Sequence, residues 1–483
     1  MPPWNGFVGP SYTSQSLLAD AERLVNWYPE QIESPFATAQ VVFYPTPGTR
    51  DWATVTDVGC RALFSIDNVQ LAVLGSSLYR IGVGPVLTKI GTVATDNNLA
   101  YAVTNGTIGN QALIGAGGNG YNLDLPTNTL TAIANLSGKV FQVGMLDGWM
   151  VAFDATSGTM RLSNHEDNTT WDPTQFAIRQ APDQWRAMII VPPDIWLLGQ
   201  QSGDVWYDAG AAPFPFAPRQ INFKYGIAAP QSLAAIGPTV LWLAQTSEGE
   251  GMVVRTNAYQ PQRISTYAVE TAIAQYQQLG SLSAVEGMTY LDRGHPFYCL
   301  RFPAADATWV YDLAMGTWHE RGYWNPARNQ YEAWRPRVHA LIFDQHIVGD
   351  AQTGVLQVLD ANVGLERDGS VIRRLRRAPA LFNEMQQIPI RVIELYLETG
   401  TAPIAIAGMT RRDGRLMWRT SDDGGRTWGN ERQATVGSRG ETRVRVRFWR
   451  NGTPRDRVGE LTVSDPIPWR VISCYINNDG SGA

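Results

Sequence analysis

Residues 140–164, VFQVGMLDGWMVAFDATSGTMRLSN, run as an apolar strand, a turn at Asp147-Gly148, a second apolar strand and a polar break before the next strand begins. Apolar runs split by Asp, Asn or Gly are hairpin grammar, because these residues accept the backbone of a tight turn. The theme returns at 62–82 (ALFSIDNVQLAVLGSSLYRIG), 110–125, 185–208, 234–256, 288–320 and 339–360. Starts roughly every 30 to 50 residues suit antiparallel blades of about four strands, which close into a ring with only short, protected edges. The reading is an all-β chain with a β-propeller of about six to eight blades over residues 56–362.

Composition supports that class. Of 483 residues, 44% are hydrophobic and only 17% charged, with 46 Gly, 29 Pro and 17 Trp, a turn-rich makeup with little room for long helices. The length exceeds what one core usually organises, so a further unit is expected. A net charge of -5 argues against a protein that coats nucleic acid, leaving only local DNA contact. Cys60, Cys299 and Cys474 are odd in number and far apart, which suggests neither a disulfide framework nor a zinc site. The opening MPPWNGFVGPSYTSQ has no basic-then-apolar leader pattern, and no apolar run is long enough to span a bilayer, so a soluble, unsecreted protein is expected.

Around the propeller, three further segments are read. Residues 1–55 form an N-terminal extended arm with a short helix in SQSLLADAERLVNWYPE (14–30): Ser14 or Ser16 could cap it, Leu17, Leu18, Ala21, Leu24 and Val25 share a face, and Pro29 ends it. Residues 363–387, charged and irregular with Pro379, are read as a linker. Residues 388–483 hold short strands at sandwich-like spacing, with period-two alternation plainest where Val444, Val446 and Phe448 interleave with Arg443, Arg445 and Arg447. This C-terminal part is a β-sandwich-like module.

The motifs offer no catalytic constellation. Gly115, Gly117 and Gly120 spell GxGxxG, but the following YNLDLPTNT alternates like a strand and cannot start the helix that a pyrophosphate site needs, so a hairpin turn is expected. Ser421, Asp423, Gly425, Thr427 and Trp428 spell SxDxGxTW, which looks like the Asp-box of sialidases. Its physics is that of a structural turn, with Asp accepting backbone bonds, Gly at positive φ and Trp packed beneath. The histidines 165, 295, 319, 339 and 346 show no metal-ligand spacing and read as scattered residues, and no GxSxG elbow occurs. No catalytic, cofactor-binding or metal-binding residue is assigned, and the chain is not read as an enzyme.

Arginine is concentrated after residue 370, at 373, 374, 376, 377, 411, 412, 415, 443, 445, 447, 450, 455 and 457. A period-two row of guanidinium forks suits an acidic neighbouring subunit, DNA phosphates or plain solvation, and Arg is the cation enriched at interfaces. Arg373, Arg374, Arg376, Arg377, Arg443, Arg445 and Arg447 are the subunit-interface candidates.

Phrases along the whole chain add a resemblance. GFVGPSYTSQSLLADAERLVNWYPE, FYPTPGTR, LAVLGSSLYRIG, RLSNHEDNTTWDPTQFA, DVWYDAG, FKYGIAAPQSL, TVLWLAQ and TWVYDLAMGTWHER together resemble the packaged-DNA stabilisation, or tail hub and nozzle, proteins of short-tailed bacteriophages. The resemblance implies a structural virion protein of the tail, assembled in the host cytoplasm. It implies a homohexameric ring below the portal complex and its head–tail adaptor, with a tail needle, plug or tailspike beyond and genomic DNA passing through the lumen. It also implies retention of packaged DNA before ejection. The alternative is a carbohydrate-binding or glycosidase-like propeller tail protein using its Trp and Tyr as sugar platforms.

Overall fold

The computed structural model describes residues 3–66, 69–245, 251–399, 414–436 and 441–477. Among these, four-stranded antiparallel meanders recur in chain order. They start at Cys60–Ile66, Tyr101–Thr104, Gln142–Leu146, Trp185–Val191, the split inner strand Gly226–Ile227 with Ala234–Ile236, and Glu286–Asp292. A seventh blade is composite: Pro336–Ile342, Gln345–Asp350 and Val355–Asp360 take their outermost strand, Gly48–Thr54, from the N-terminal region. The chain is thus an all-β protein with a seven-bladed propeller, inside the expected range of blade number.

Each blade buries both faces against its neighbours. Seven apolar cores result, one at each interface around the ring. The closing interface joins blade 7 to blade 1 through Cys60, Leu63, Ala72, Ile342 and Leu356. Gly349 is required there, since a Cβ would lie 2.3 Å from Cys60 Sγ. The GAGGNG segment is a hairpin turn: Gln111–Ala116 pairs with Asn119–Asp124, and Gly117 and Gly118 take φ of 56° and 80°.

A β-sandwich stands beside blade 6. One sheet comprises Trp27–Gln31, Val41–Pro45, Arg470–Ile476, Val392–Glu398 and Arg443–Trp449. The facing sheet comprises Ala21–Val25, Arg374–Arg377, Asp456–Val463, Arg415–Ser421 and Arg432–Thr435, and it continues into blade 6 where Val25 pairs in parallel with Glu320. Trp4, Phe7, Trp27, Trp418 and Trp469 fill the core between the sheets.

Two sequence expectations are corrected here. Residues 14–30 form no helix and no free arm: Ala21–Val25 and Trp27–Gln31 are strands in opposite sheets of the sandwich. The spacing that reads as a helical face fails because Leu24, Val25, Trp27 and Tyr28 are all buried while Leu18 is 51% exposed, which is a strand–kink–strand pattern. The kink is Asn26 at φ 58°, a residue type that tolerates the left-handed region. The 363–387 segment is likewise no simple linker, because Arg374–Arg377 is an interior strand of the second sheet.

The longest helix among the described residues is Tyr267–Leu279, between blades 5 and 6, with Thr266 as its N-cap and Ala268, Val269 and Ile273 turned inward. Among the described residues no helix is long and apolar enough to cross a membrane.

Candidate assembly surface

The first arginine cluster lies mostly inside the molecule. Arg376 is fully buried, and its guanidinium donates to the carbonyls of Phe7 and Pro10 at 2.7 Å and Gly6 at 2.6 Å, and to Glu22 at 2.8 Å. One side chain therefore staples the N-terminal segment to the sandwich. Arg374, 1% exposed, reaches Thr46 O at 3.2 Å, and burial lowers its ionisation to about 10 despite nearby Glu366. Glu366 shares that environment, and burial raises its carboxyl to about 7. Arg373 covers the Trp324 ring at 4.3 Å. Arg374 and Arg376 thus satisfy their own chain's carbonyls and leave no guanidinium for another subunit.

Arg377 belongs to a charged row across the sheet. Glu460, fully buried, receives Arg377 Nε at 3.0 Å and Nη2 at 2.9 Å on one oxygen and Arg419 Nε at 2.7 Å on the other. The three residues sit opposite one another on adjacent strands. The same two guanidiniums lie over the Trp428 ring, 4.9 and 4.6 Å from its centroid.

The SxDxGxTW segment supplies that tryptophan from a bonded turn. Asp423 accepts from the Ser421 hydroxyl at 2.6 Å, the Thr427 hydroxyl at 2.6 Å and the backbone N–H groups of Arg426 and Thr427 at 3.0 and 2.9 Å. These bonds hold the Asp423 carboxyl well below the usual range. Gly425 stands at φ 88°, and Trp428 is half-buried, its ring against Gly425 of the turn and beneath two arginines. The donors to the carboxylate come from the turn itself.

The second arginine cluster is on the surface. Along Arg443–Trp449 burial alternates strictly, with Val444, Val446 and Phe448 inward and Arg443, Arg445, Arg447 and Trp449 outward. Arg445 and Arg447 both bond Glu394, at 2.7 and 2.5 Å, and Arg470 pairs with Glu398 on the same face. Four arginines against two glutamates leave this outer face positive. Arg411 and Arg412 lie outside the described residues, and Arg457 is tied to Asp422 by two 2.7 Å bonds.

Sequence reasoning missed one grouping. Four of the five histidines meet where the sandwich and blades 6 and 7 come together, linked through Tyr28, Tyr290 and Phe297. His295 Nδ1 contacts buried Asp312 at 2.7 Å and its Nε2 faces Glu30 at 3.4 Å, which raises its basicity. His319 is fully buried, and desolvation with Arg321 beside it keeps it neutral far below the ordinary range. His339 Nε2 lies 3.0 Å from His346 Nδ1, and burial pushes His339 down to about 3. Arg321, 2% exposed, lies about 5 Å from the Tyr290, Phe297 and Trp334 rings. Linear spacing could not find this group, because its members come from different strands and a blade junction.

Among the described residues no three His, Cys, Asp or Glu side chains are placed to hold a metal ion. The three cysteines are buried, and desolvation raises the Cys60 and Cys299 thiols to about 12 and about 11, values unsuited to a nucleophile.

Comparison with known families finds two models in order along the chain, the first of which also takes in the sandwich strands of residues 21–45. A family model described as bacteriophage P22 Gp10, beta-propeller, matches residues 21–364, and one described as bacteriophage P22 Gp10, beta-sandwich, matches residues 373–478. No curated protein matches the chain. Among solved structures, the N-terminal domain of Nup159 is similar with TM-score 0.39 and 11% identity over 70% of this chain and 99% of that one. The computationally designed Ika8 protein gives 0.38 and 14% over 70% and 100%. The WD40 domain of Toxoplasma gondii coronin gives 0.38 and 10% over 72% and 87%.

Proposed function

The chain belongs to the bacteriophage P22 Gp10 family, and from that premise we propose that it forms the tail hub or nozzle below the portal and adaptor rings. At the coarser level the family makes it a structural virion protein that stabilises packaged DNA. In the finer reading it assembles as a homohexameric ring, meets the adaptor above and a needle, plug or tailspike below, and conducts the genome at ejection. It does so as a wall, without catalysis. The observation that carries this reading is that both family models match in order and together span residues 21–364 and 373–478.

The physical design suits a channel wall. Pressure from packaged DNA loads the tail mechanically, and a propeller closed by its own N-terminal strand has no free end at which to peel. Residues 21–45 place strands in both sandwich sheets before the chain enters blade 7, so the two units are interleaved and share sheet hydrogen bonds at Val25–Glu320. A wall must also let DNA pass. Many phosphate contacts would bind the genome tightly and salt-dependently, and a chain of net charge -5 whose arginines are largely paired avoids that grip. The Arg443, Arg445 and Arg447 row is assigned to contact with neighbouring protein.

The test is genetic and biochemical. Phage particles assembled without this chain are expected to package DNA and then lose it, read as nuclease-sensitive genome, and adding the purified protein to freshly filled heads should restore protection. Heads that keep their DNA protected without the chain would refute the role.

A further inference from the structure

This inference rests on the assembly role proposed above and names a contact for it. On the sandwich unit a groove of about 770 Å3 is lined by Leu18, Phe382 and Met385 with Asp20, Asp422 and Asp456 at its walls beside a single cation, Arg455. The three apolar side chains are 51%, 59% and 59% exposed, a concentration of large apolar surface that isolated surface residues do not produce. The turn that displays Met385 is held in the left-handed region at two non-glycine positions, Glu384 at φ 46° and Met385 at φ 61°. It is closed by Gln386 N–H donating to Asn383 O at 2.8 Å and pinned by Arg455 on Met385 O at 2.9 Å. Backbone of this kind persists only where the surroundings enforce it, and it clusters at functional surfaces.

Of the groove's carboxylates Asp422 is neutralised by Arg457, which leaves Asp20 and Asp456 as its acidic wall. Burial raises Asp20 and Asp456, Asp422 adds to the effect at Asp456, and one Asp456 oxygen is buried without a hydrogen-bond partner. An apolar floor beneath such carboxylates fits a cationic strand that carries an aromatic anchor. The outer row of Arg443–Trp449 has that makeup: three arginines on one strand face, ending in Trp449 with half its surface exposed. Arginine and tryptophan are also the residues that dominate binding energy where interfaces are mapped.

We propose that Trp449 of one copy seats among Leu18, Phe382 and Met385 of a second copy, with the arginine row facing Asp20 and Asp456. Groove and row are different surfaces of one molecule, so the contact is head-to-tail and repeats from copy to copy, closing into a ring when the rotation permits.

A mixing experiment tests this with two variants of the full chain, each checked for native circular dichroism. One carries Phe382→Glu and Met385→Glu in the groove; the other carries Arg447→Glu and Trp449→Ala in the row. Sedimentation velocity should show the wild type self-associating and each variant alone weakened by about thirtyfold or more, the loss expected when an anchor is removed. An equimolar mixture should recover a dimer and nothing larger, because one good groove meets one good row. Variants that associate like the wild type, or a mixture that behaves as two separate monomers, would overturn the contact. A wild type that stays monomeric at its highest soluble concentration would also overturn it. None of these results would touch the virion role, which DNA protection measures separately.

Discussion

Glu460 has no exposed side-chain surface and lies between two guanidiniums, so its charge is compensated only while both remain in place. Removing one member of a buried ion group leaves the others desolvated and unpaired, which costs about 3 to 5 kcal/mol. Glu460→Gln keeps the shape and should lower stability toward urea by roughly that amount. It should also change the emission of Trp428, which the two arginines clamp. An unchanged unfolding midpoint would show that the row is solvated. The histidine group gives a second test, with opposing signs. His295 is raised from 6.5 by Asp312, so its contribution is full below 6.5 and is lost as pH rises through its higher folded value. His319 and His339 are depressed by burial, so below 6.5 the unfolded chain takes up protons that the folded chain refuses. Stability then falls with acidity by about 1.4 kcal/mol per pH unit for each such group. Stability measured across pH 5 to 8 should therefore peak near 6.5, with His319→Gln flattening the acid limb and His295→Gln the alkaline one. Identical limbs in the variants would contradict this assignment.

Between elements, the N-terminal strands carry more than their length suggests. Asn26 donates to the carbonyls of Gly322 at 2.9 Å and Arg373 at 2.8 Å and accepts from Gly322 N–H at 3.0 Å, joining blade 6 to both parts of the sandwich. Gly48 begins the strand that completes blade 7, where a Cβ would lie 2.4 and 2.5 Å from the carbonyl oxygens of Val363 and Leu365. Gly48→Ala must displace that backbone and loosen ring closure. It should reduce protection of the amides of Val355–Asp360 from hydrogen exchange more than those of blades 3 and 4; uniform protection would argue against closure by this strand. These N-terminal contacts explain what the sequence left hidden. Blades were legible because alternation and Asp, Asn or Gly turns are local signals, and the sandwich because Arg443–Phe448 alternates cleanly. The 14–30 stretch is illegible because Leu17, Leu18, Ala21, Leu24 and Val25 fit a helical spacing, while the kink at Asn26 is stabilised by residues about 300 positions away. The burial of Arg376, an interface candidate by sequence, is hidden for the same reason, since the carbonyls that hold it belong to residues 6–10.

At the scale of the molecule, an N-terminal segment runs through sandwich and propeller and ties the two by sheet pairing, while the arginines divide between internal staples and an outward row. The inner guanidiniums hold the chain's own segments together, and the outer row is the one proposed to face neighbouring copies. Association with the head is the claim on which the rest depends. The most direct test is the light-scattering mass of the purified chain, alone and mixed with portal complexes that carry the adaptor. The expected result is a complex heavier than the portal by six copies of the chain, and a monomer that leaves the portal mass unchanged would contradict it.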